Sequence, residues 1–116
     1  MKSVTIYHNP RCTKSRQTLA LLEQRGIQPK VIEYLVTPPT EAELKRLLKL
    51  LGIAPRELLR TKEHEYKQAK LDRADVTDAE IVRAMVKYPR LIERPIVVSS
   101  NKAALGRPPE SVLKII

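Results

Sequence analysis

A chain of 116 residues predicts one domain with a single apolar core. Its one cysteine excludes an internal disulfide and a CxxC-type metal site, and it favours the reducing cytoplasm. The net charge of +9 favours anionic partners, but the absence of Phe and Trp disfavours nucleic acid bound by base stacking. Because no apolar run is long enough for a signal peptide or a membrane span, we expect no membrane association.

The first third of the chain predicts a strand, a helix and a second strand. Val4 and Ile6 mark the first strand, helical spacing follows over 13–26, and a β-rich run occupies 31–35. A βαβ unit of this length predicts parallel pairing of the two strands. Ligands bind at the carboxyl ends of such strands, and Cys12 lies on the loop that follows the first one.

The middle of the chain predicts helices. Thr40 with Glu43, and Thr77 with Glu80, form two capping boxes, each at the start of an amphipathic pattern. Pro55 predicts a shorter helix between them, whereas residues 61–76 are charged and predict irregular or weakly helical surface.

The last third predicts a β-hairpin and a helix. A β-branched run over 96–98 is typical of a buried strand, a turn follows, and a short strand returns over 103–107. Pro108 and Pro109 then open a final helix. The element order is βαβ, a helical stretch, then ββα, which indicates an α/β fold.

Cys12 is the residue most suited to chemistry. It lies at the start of the predicted helix, where free N–H groups and the helix dipole favour an anion such as a thiolate. Its neighbours add positive charge, which lets a cysteine ionise more readily than a free thiol: His8, Arg11, Lys14 and Arg16. Ser15, one turn on, can donate a hydrogen bond to the sulfur. The alternative is a buried, inert cysteine, which the polar surroundings disfavour.

Several segments together resemble one family. These are residues 6–16 (IYHNPRCTKSR), the Tyr34, Leu35 and Thr37-Pro38-Pro39 segment, Leu58-Leu59-Arg60, residues 94–98 (RPIVV) and Gly106-Arg107-Pro108. In order and spacing they resemble the glutaredoxin-coupled arsenate reductases over the full length of the chain. The resemblance implies a thioredoxin-like fold with a mixed four-stranded sheet, one domain over 1–116 and a helical insertion at about 40–90.

The resemblance also implies the site residues. Cys12 corresponds to the nucleophile, and the three arginines that hold the oxyanion correspond to Arg60, Arg94 and Arg107. Pro95 corresponds to a cis proline beside the active site, while His8 and Ser15 correspond to residues that assist the thiolate. The fork of donors on a guanidinium suits the paired oxygens of a tetrahedral anion. The alternative is that these are three surface arginines among 22 basic residues.

The implied activity is reduction of arsenate to arsenite, with glutathione as co-substrate, glutaredoxin as protein partner and no bound cofactor or metal. The chain is expected to be a cytoplasmic monomer. A thiol-dependent reductase of another substrate, or an RNA polymerase-binding regulator of the same superfamily, is the alternative, although the regulators usually carry a CxxC switch and Ser15 occupies its fourth position. A low-molecular-weight phosphatase is disfavoured because Thr18 occupies the position where its loop needs arginine.

Overall fold

The computed structural model describes residues 3–116. It contains two compact units, which we call the sheet unit (the chain up to Thr37 together with Arg94–Ile116) and the helical unit (Pro38–Glu93). Within the described residues, no helix is both long and apolar enough to cross a membrane.

The sheet unit contains a mixed four-stranded sheet. Its strands are β1 (Val4–His8), β2 (Lys30–Glu33), β3 (Ile96–Ser99) and β4 (Lys102–Leu105), in the order β2-β1-β3-β4. Strand β1 pairs parallel to β2 and antiparallel to β3, and β3 pairs antiparallel to β4. This confirms the predicted α/β class, the parallel βαβ unit and the thioredoxin-like arrangement of the sheet.

Helix α1 (Thr13–Gln24) covers the sheet unit's core together with the C-terminal segment. The core residues are buried and apolar, and they come from β1, α1, β3 and the C-terminal segment: Val4, Ile6, Leu22, Val97 and Val112. Leu22 is fully buried, so it anchors α1 in this core. The loop from β1 into α1 therefore has a fixed support at each end.

The edges of three predicted elements differ from the sequence expectation. Strand β2 ends at Glu33, because the N–H groups of Val36 and Thr37 both donate to the Glu33 carbonyl, each at 2.9 Å, and turn the chain. Strand β4 covers Lys102–Leu105 and stops before Gly106. The final helix is a 3-10 helix, Pro109–Lys114, since the segment begins with prolines and is too short to favour α-helical hydrogen bonding.

The helical unit contains α2 (Glu41–Leu51), α3 (Pro55–Leu58), α4 (His64–Gln68), α5 (Asp78–Lys87) and a 3-10 turn, Pro89–Leu91. Both predicted capping boxes are present, at Thr40 and at Thr77, with hydroxyl and carboxylate bonding reciprocally. The segment 61–76 contains the short helix α4, but Leu71 and Val76 are buried, so it is not all surface as the sequence predicted.

Candidate active site

Cys12 is the N-cap residue of α1 and has extended backbone angles, with φ −92° and ψ 123°. Its N–H donates to the Asn9 carbonyl at 3.0 Å, and its carbonyl accepts from the Arg16 N–H at 3.0 Å. The loop after β1 therefore places the sulfur at the start of the helix, as the sequence predicted. Cys12 is 8% exposed, which is more buried than its polar neighbours suggested.

The sulfur faces a guanidinium group. Arg107 Nη2 lies 3.8 Å from Cys12 Sγ, and Arg107 Nε donates to the Arg94 carbonyl at 2.8 Å. The two donors of one planar fork thus bond to a backbone oxygen and to the sulfur, which fixes the direction of the guanidinium plane. Arg107 itself is solvent-exposed, so a small anion can approach its side chain from solvent.

The hairpin of β3 and β4 brings Arg94 and Arg107 together. Ile96 pairs with Leu105, and just beyond this pair the Gly106 N–H donates to the Pro95 carbonyl at 2.9 Å. The Arg94–Pro95 peptide bond is cis, as the resemblance implied, and the Arg107–Pro108 bond is also cis. The structure places the backbone of Arg94 against the side chain of Arg107, at the end of the sheet where Cys12 lies.

Gly106 is a site-forming residue whose importance the sequence analysis missed. A Cβ atom there would lie 2.4 Å from Thr18 Oγ1 and 2.7 Å from Pro95 Cγ, closer than real Cβ contacts allow. Only glycine lets the end of β4 approach both α1 and Pro95 and so set the start of Arg107. Gly106 directly follows strand β4, and a glycine in or beside a strand often marks a place where another part of the chain approaches closely. This signal could have identified Gly106 from the sequence.

His8 and Ser15 form a buried pair beneath the loop. Their side chains, His8 Nδ1 and Ser15 Oγ, are 2.6 Å apart, and Ser15 Oγ also accepts from the Asn9 N–H at 3.0 Å. Ser15 Oγ therefore bonds to both the His8 ring and the Asn9 backbone, and either His8 Nδ1 or the serine hydroxyl can supply the proton between them. The hydrogen bonds of residues 3–116 include none from Ser15 to the Cys12 sulfur, so this pair ties β1 to α1 instead.

Burial acts against the positive charge that the sequence analysis expected of His8. Burial lowers the pKa of His8 below its ordinary value of 6.5; the nearby Glu33 carboxylate opposes this shift and the Arg16 guanidinium adds to it. His8 is therefore protonated less readily than a free histidine, which reduces the positive charge it can add beside the sulfur. The sequence could not reveal this, because His8 is buried by residues distant in the chain.

Arg16 has a local role. Its Nη1 donates to the Pro10 carbonyl at 2.9 Å and its Nη2 to Thr13 Oγ1 at 3.3 Å. Both acceptors belong to the segment that surrounds Cys12, so this guanidinium braces the loop.

Arg60 belongs to the helical unit, where carboxylates surround it. Arg60 Nη1 lies 2.9 Å from Glu63 Oε1 and its Nε lies 3.6 Å from Glu93 Oε1. Its backbone is fixed by donation of the Arg60 N–H to the Leu91 carbonyl at 2.8 Å. The predicted part of Arg60 in holding an oxyanion stays a prediction. No cluster of His, Cys, Asp or Glu suited to a metal ion occurs among the residues that the structure describes.

The comparisons with known proteins agree on one family. The model of the ArsC family matches residues 7–115. An arsenate reductase of Haemophilus influenzae is 50% identical over 98% of this chain and 99% of its own. The uncharacterised Escherichia coli protein YfgD is 52% identical over 99% and 98%. Among solved structures, an arsenate reductase from Vibrio cholerae superposes with a TM-score of 0.96 at 52% identity, covering 99% of this chain and 98% of that one.

Proposed function

This chain belongs to the ArsC family, and we propose that it reduces arsenate to arsenite, with Cys12 as the nucleophile and with glutathione and glutaredoxin as the source of electrons. The observation that carries the proposal is the contact of Arg107 Nη2 with Cys12 Sγ at 3.8 Å. A thiol at a helix start, facing an exposed guanidinium, is arranged to attack the central atom of an oxyanion whose oxygens the guanidinium holds.

The number of thiols determines where the electrons come from. Reduction of arsenic(V) to arsenic(III) takes two electrons, which two thiols supply when they become a disulfide. This chain has one cysteine, so it cannot form an internal disulfide in the reaction. External thiols must therefore complete each turnover, and glutathione is the small thiol that we propose.

We propose the following sequence of bond changes. The Cys12 thiolate attacks arsenic, a sulfur–arsenic bond forms, and one oxygen leaves as water with protons taken from the hydrogen arsenate and from solvent. The glutathione thiolate attacks the same arsenic and expels a second water. A glutaredoxin thiolate then attacks the glutathione sulfur. A disulfide forms between glutaredoxin and glutathione, and the electron pair of the broken sulfur–arsenic bond reduces arsenic(V) to arsenic(III). Water finally displaces arsenite from Cys12.

Arg107 has a defined part in this scheme. As the thiolate attacks arsenic, negative charge shifts onto the arsenic-bound oxygens, and a fixed guanidinium stabilises that charge without reorganising. Arg94 is proposed to share the oxyanion with Arg107, and the part of Arg60 stays a prediction from the family resemblance. His8, Ser15 and Pro95 are proposed to support the loop that carries Cys12.

The test is arsenate-dependent oxidation of NADPH, coupled through glutathione reductase, glutathione and glutaredoxin. Wild type is expected to turn over, and Cys12→Ser is expected to be inactive while its thermal unfolding stays unchanged. Ser111→Ala, at a half-buried position of the C-terminal 3-10 helix, is the control for protein handling and should keep wild-type activity. Turnover by Cys12→Ser would contradict the mechanism. Specific capture of RNA polymerase subunits without arsenate turnover would favour the regulator alternative.

A further inference from the structure

A groove lies along α1 in the sheet unit, between this helix and the start of the C-terminal segment. Its volume is about 600 Å³, within the range of roughly 300–1,000 Å³ common for small-molecule sites. One wall is a face of α1 that includes Lys14, Gln17 and Gln24, and the opposite wall is Pro108, Pro109 and Glu110. The groove is open to solvent, and most of these side chains are exposed.

Both walls begin next to the proposed nucleophile. Lys14 lies two residues after Cys12, in the first turn of α1. Pro108 directly follows Arg107, whose Nη2 lies 3.8 Å from the Cys12 sulfur. The end of the groove at Lys14 and Pro108 is therefore the end nearer to Cys12 and Arg107 along the chain.

The length of the groove fits a tripeptide. From Lys14 to Gln24 is ten residues of α-helix, which at 1.5 Å per residue is about 15 Å. An extended tripeptide spans roughly 10–11 Å. The groove can hold such a peptide along α1 and leave room for its side chains.

The side chains of the groove also match the charges of one thiol peptide. Lys14 and Glu110 stand on opposite walls, and within the described chain neither takes part in an ion pair. Gln17 and Gln24 offer amide donors and acceptors to a peptide backbone. Glutathione carries two carboxylates and one ammonium, so it can use a lysine, a glutamate and two amides at once.

We propose that this groove is the glutathione site, with a carboxylate of the tripeptide at Lys14, its ammonium at Glu110 and its thiol directed toward Cys12. This inference rests on the proposed function, because it names the place where the external thiol binds. The groove would hold the thiol beside the arsenic bound to Cys12, which raises its effective concentration there.

Binding is tested apart from catalysis, with S-methylglutathione as the probe, because its blocked thiol cannot react. In a ¹⁵N NMR titration, the backbone amides of Gln17, Gln24 and Glu110 should shift together and saturate. Lys14→Glu should raise the dissociation constant about fivefold or more, since it replaces an attraction by a repulsion. Lys30→Glu, the same change at an exposed site on β2, should leave that constant unchanged.

Kinetics supply the second measurement. Glu110→Lys, on the wall farther from Cys12 in sequence, should raise the KM for glutathione about fivefold and leave the KM for arsenate and the kcat at saturating glutathione unchanged. NMR shifts confined to other surfaces, or no shifts at millimolar S-methylglutathione, would overturn the proposed glutathione site even if arsenate turnover is normal. Groove shifts in a protein that fails to reduce arsenate would support the site and refute the proposed function. Shifts in the groove only on addition of glutaredoxin would overturn the tripeptide site.

Discussion

Gly106→Ala is the sharpest test of how the fold positions the site. The added Cβ would stand 2.4 Å from Thr18 Oγ1 and 2.7 Å from Pro95 Cγ, whereas ordinary contact begins at 3.4 Å. To reach ordinary contact distances, the new Cβ must move about 1 Å away from Thr18 Oγ1 and about 0.7 Å away from Pro95 Cγ. Thr18 is fully buried and its hydroxyl is bonded to the Lys14 carbonyl at 2.8 Å, so the end of β4 has to move instead.

That movement acts on the next residue, Arg107. Its Nη2 is already 3.8 Å from the sulfur, and a further shift of about 1 Å would end the contact. Misplacement of a catalytic group by 1 Å can cost about a hundredfold in rate. We expect kcat/KM for arsenate to fall by about tenfold to a hundredfold, and the free energy of unfolding to fall by about 1–3 kcal/mol from overpacking.

Gly26→Ala is the matched control. Gly26 has a positive φ of 75° but nothing within 4 Å of a built Cβ, so alanine there meets backbone strain and no clash. It should cost about 1 kcal/mol of stability and leave kcat/KM at the wild-type value. Urea unfolding and steady-state arsenate reduction are measured for both variants.

A double variant separates positioning from general destabilisation. Thr18→Ala removes the atom that lies closest to the new Cβ, so Gly106→Ala should cost less activity in a Thr18→Ala background than in wild type. The reasoning is refuted if Gly106→Ala keeps wild-type kcat/KM, or if Gly26→Ala loses as much activity as Gly106→Ala does.

Three further predictions concern single contacts. Arg107→Lys should lower kcat/KM for arsenate by about a hundredfold at unchanged stability, because one ammonium cannot replace a fork that bonds two groups, and steady-state kinetics with unfolding curves test this. The unfolding free energy of wild type should fall more between pH 7 and pH 5 than that of His8→Asn, as urea titrations at each pH would measure. The sign follows because the folded-state pKa of His8 is lowered, so below 6.5 the unfolded chain binds more protons than the folded one. Thr77→Ala should cost about 1 kcal/mol by removing the hydroxyl that accepts from the Glu80 N–H, whereas Thr77→Ser should restore most of it in the same unfolding assay.

The parts of the fold that were predictable are those specified by neighbouring residues. A capping box needs only a threonine and a glutamate three positions later, and both boxes formed at Thr40 and Thr77. The βαβ unit followed from two apolar runs on either side of a helical pattern, because its parallel pairing is a general rule of such units. The position of Cys12 at the start of α1 followed from the same local pattern.

The features that escaped prediction depend on contacts between distant residues. Leu71 and Val76 lie in a charged segment without periodicity, yet both are buried. The close approach at Gly106 involves Thr18, which is 88 residues earlier in the chain. Single-sequence patterns carry no information on such pairs, so the sequence indicated which residues have suitable chemistry but not which atoms face one another.

The lowered pKa of His8 changes how charge at the site is understood. If a protonated histidine supplied the positive charge beside Cys12, anion binding would weaken as the pH rises through the range in which histidine titrates. Here the group that contacts the sulfur is the guanidinium of Arg107, which stays charged at any physiological pH. Because burial lowers the pKa of His8, any step that His8 adds to oxyanion affinity should lie at a lower pH than the titration of a free histidine. The Arg94 carbonyl holds the guanidinium of Arg107 at the end of the β3–β4 hairpin. Both the charge and the orientation of this group are therefore fixed, which suits anion binding better than a side chain that titrates.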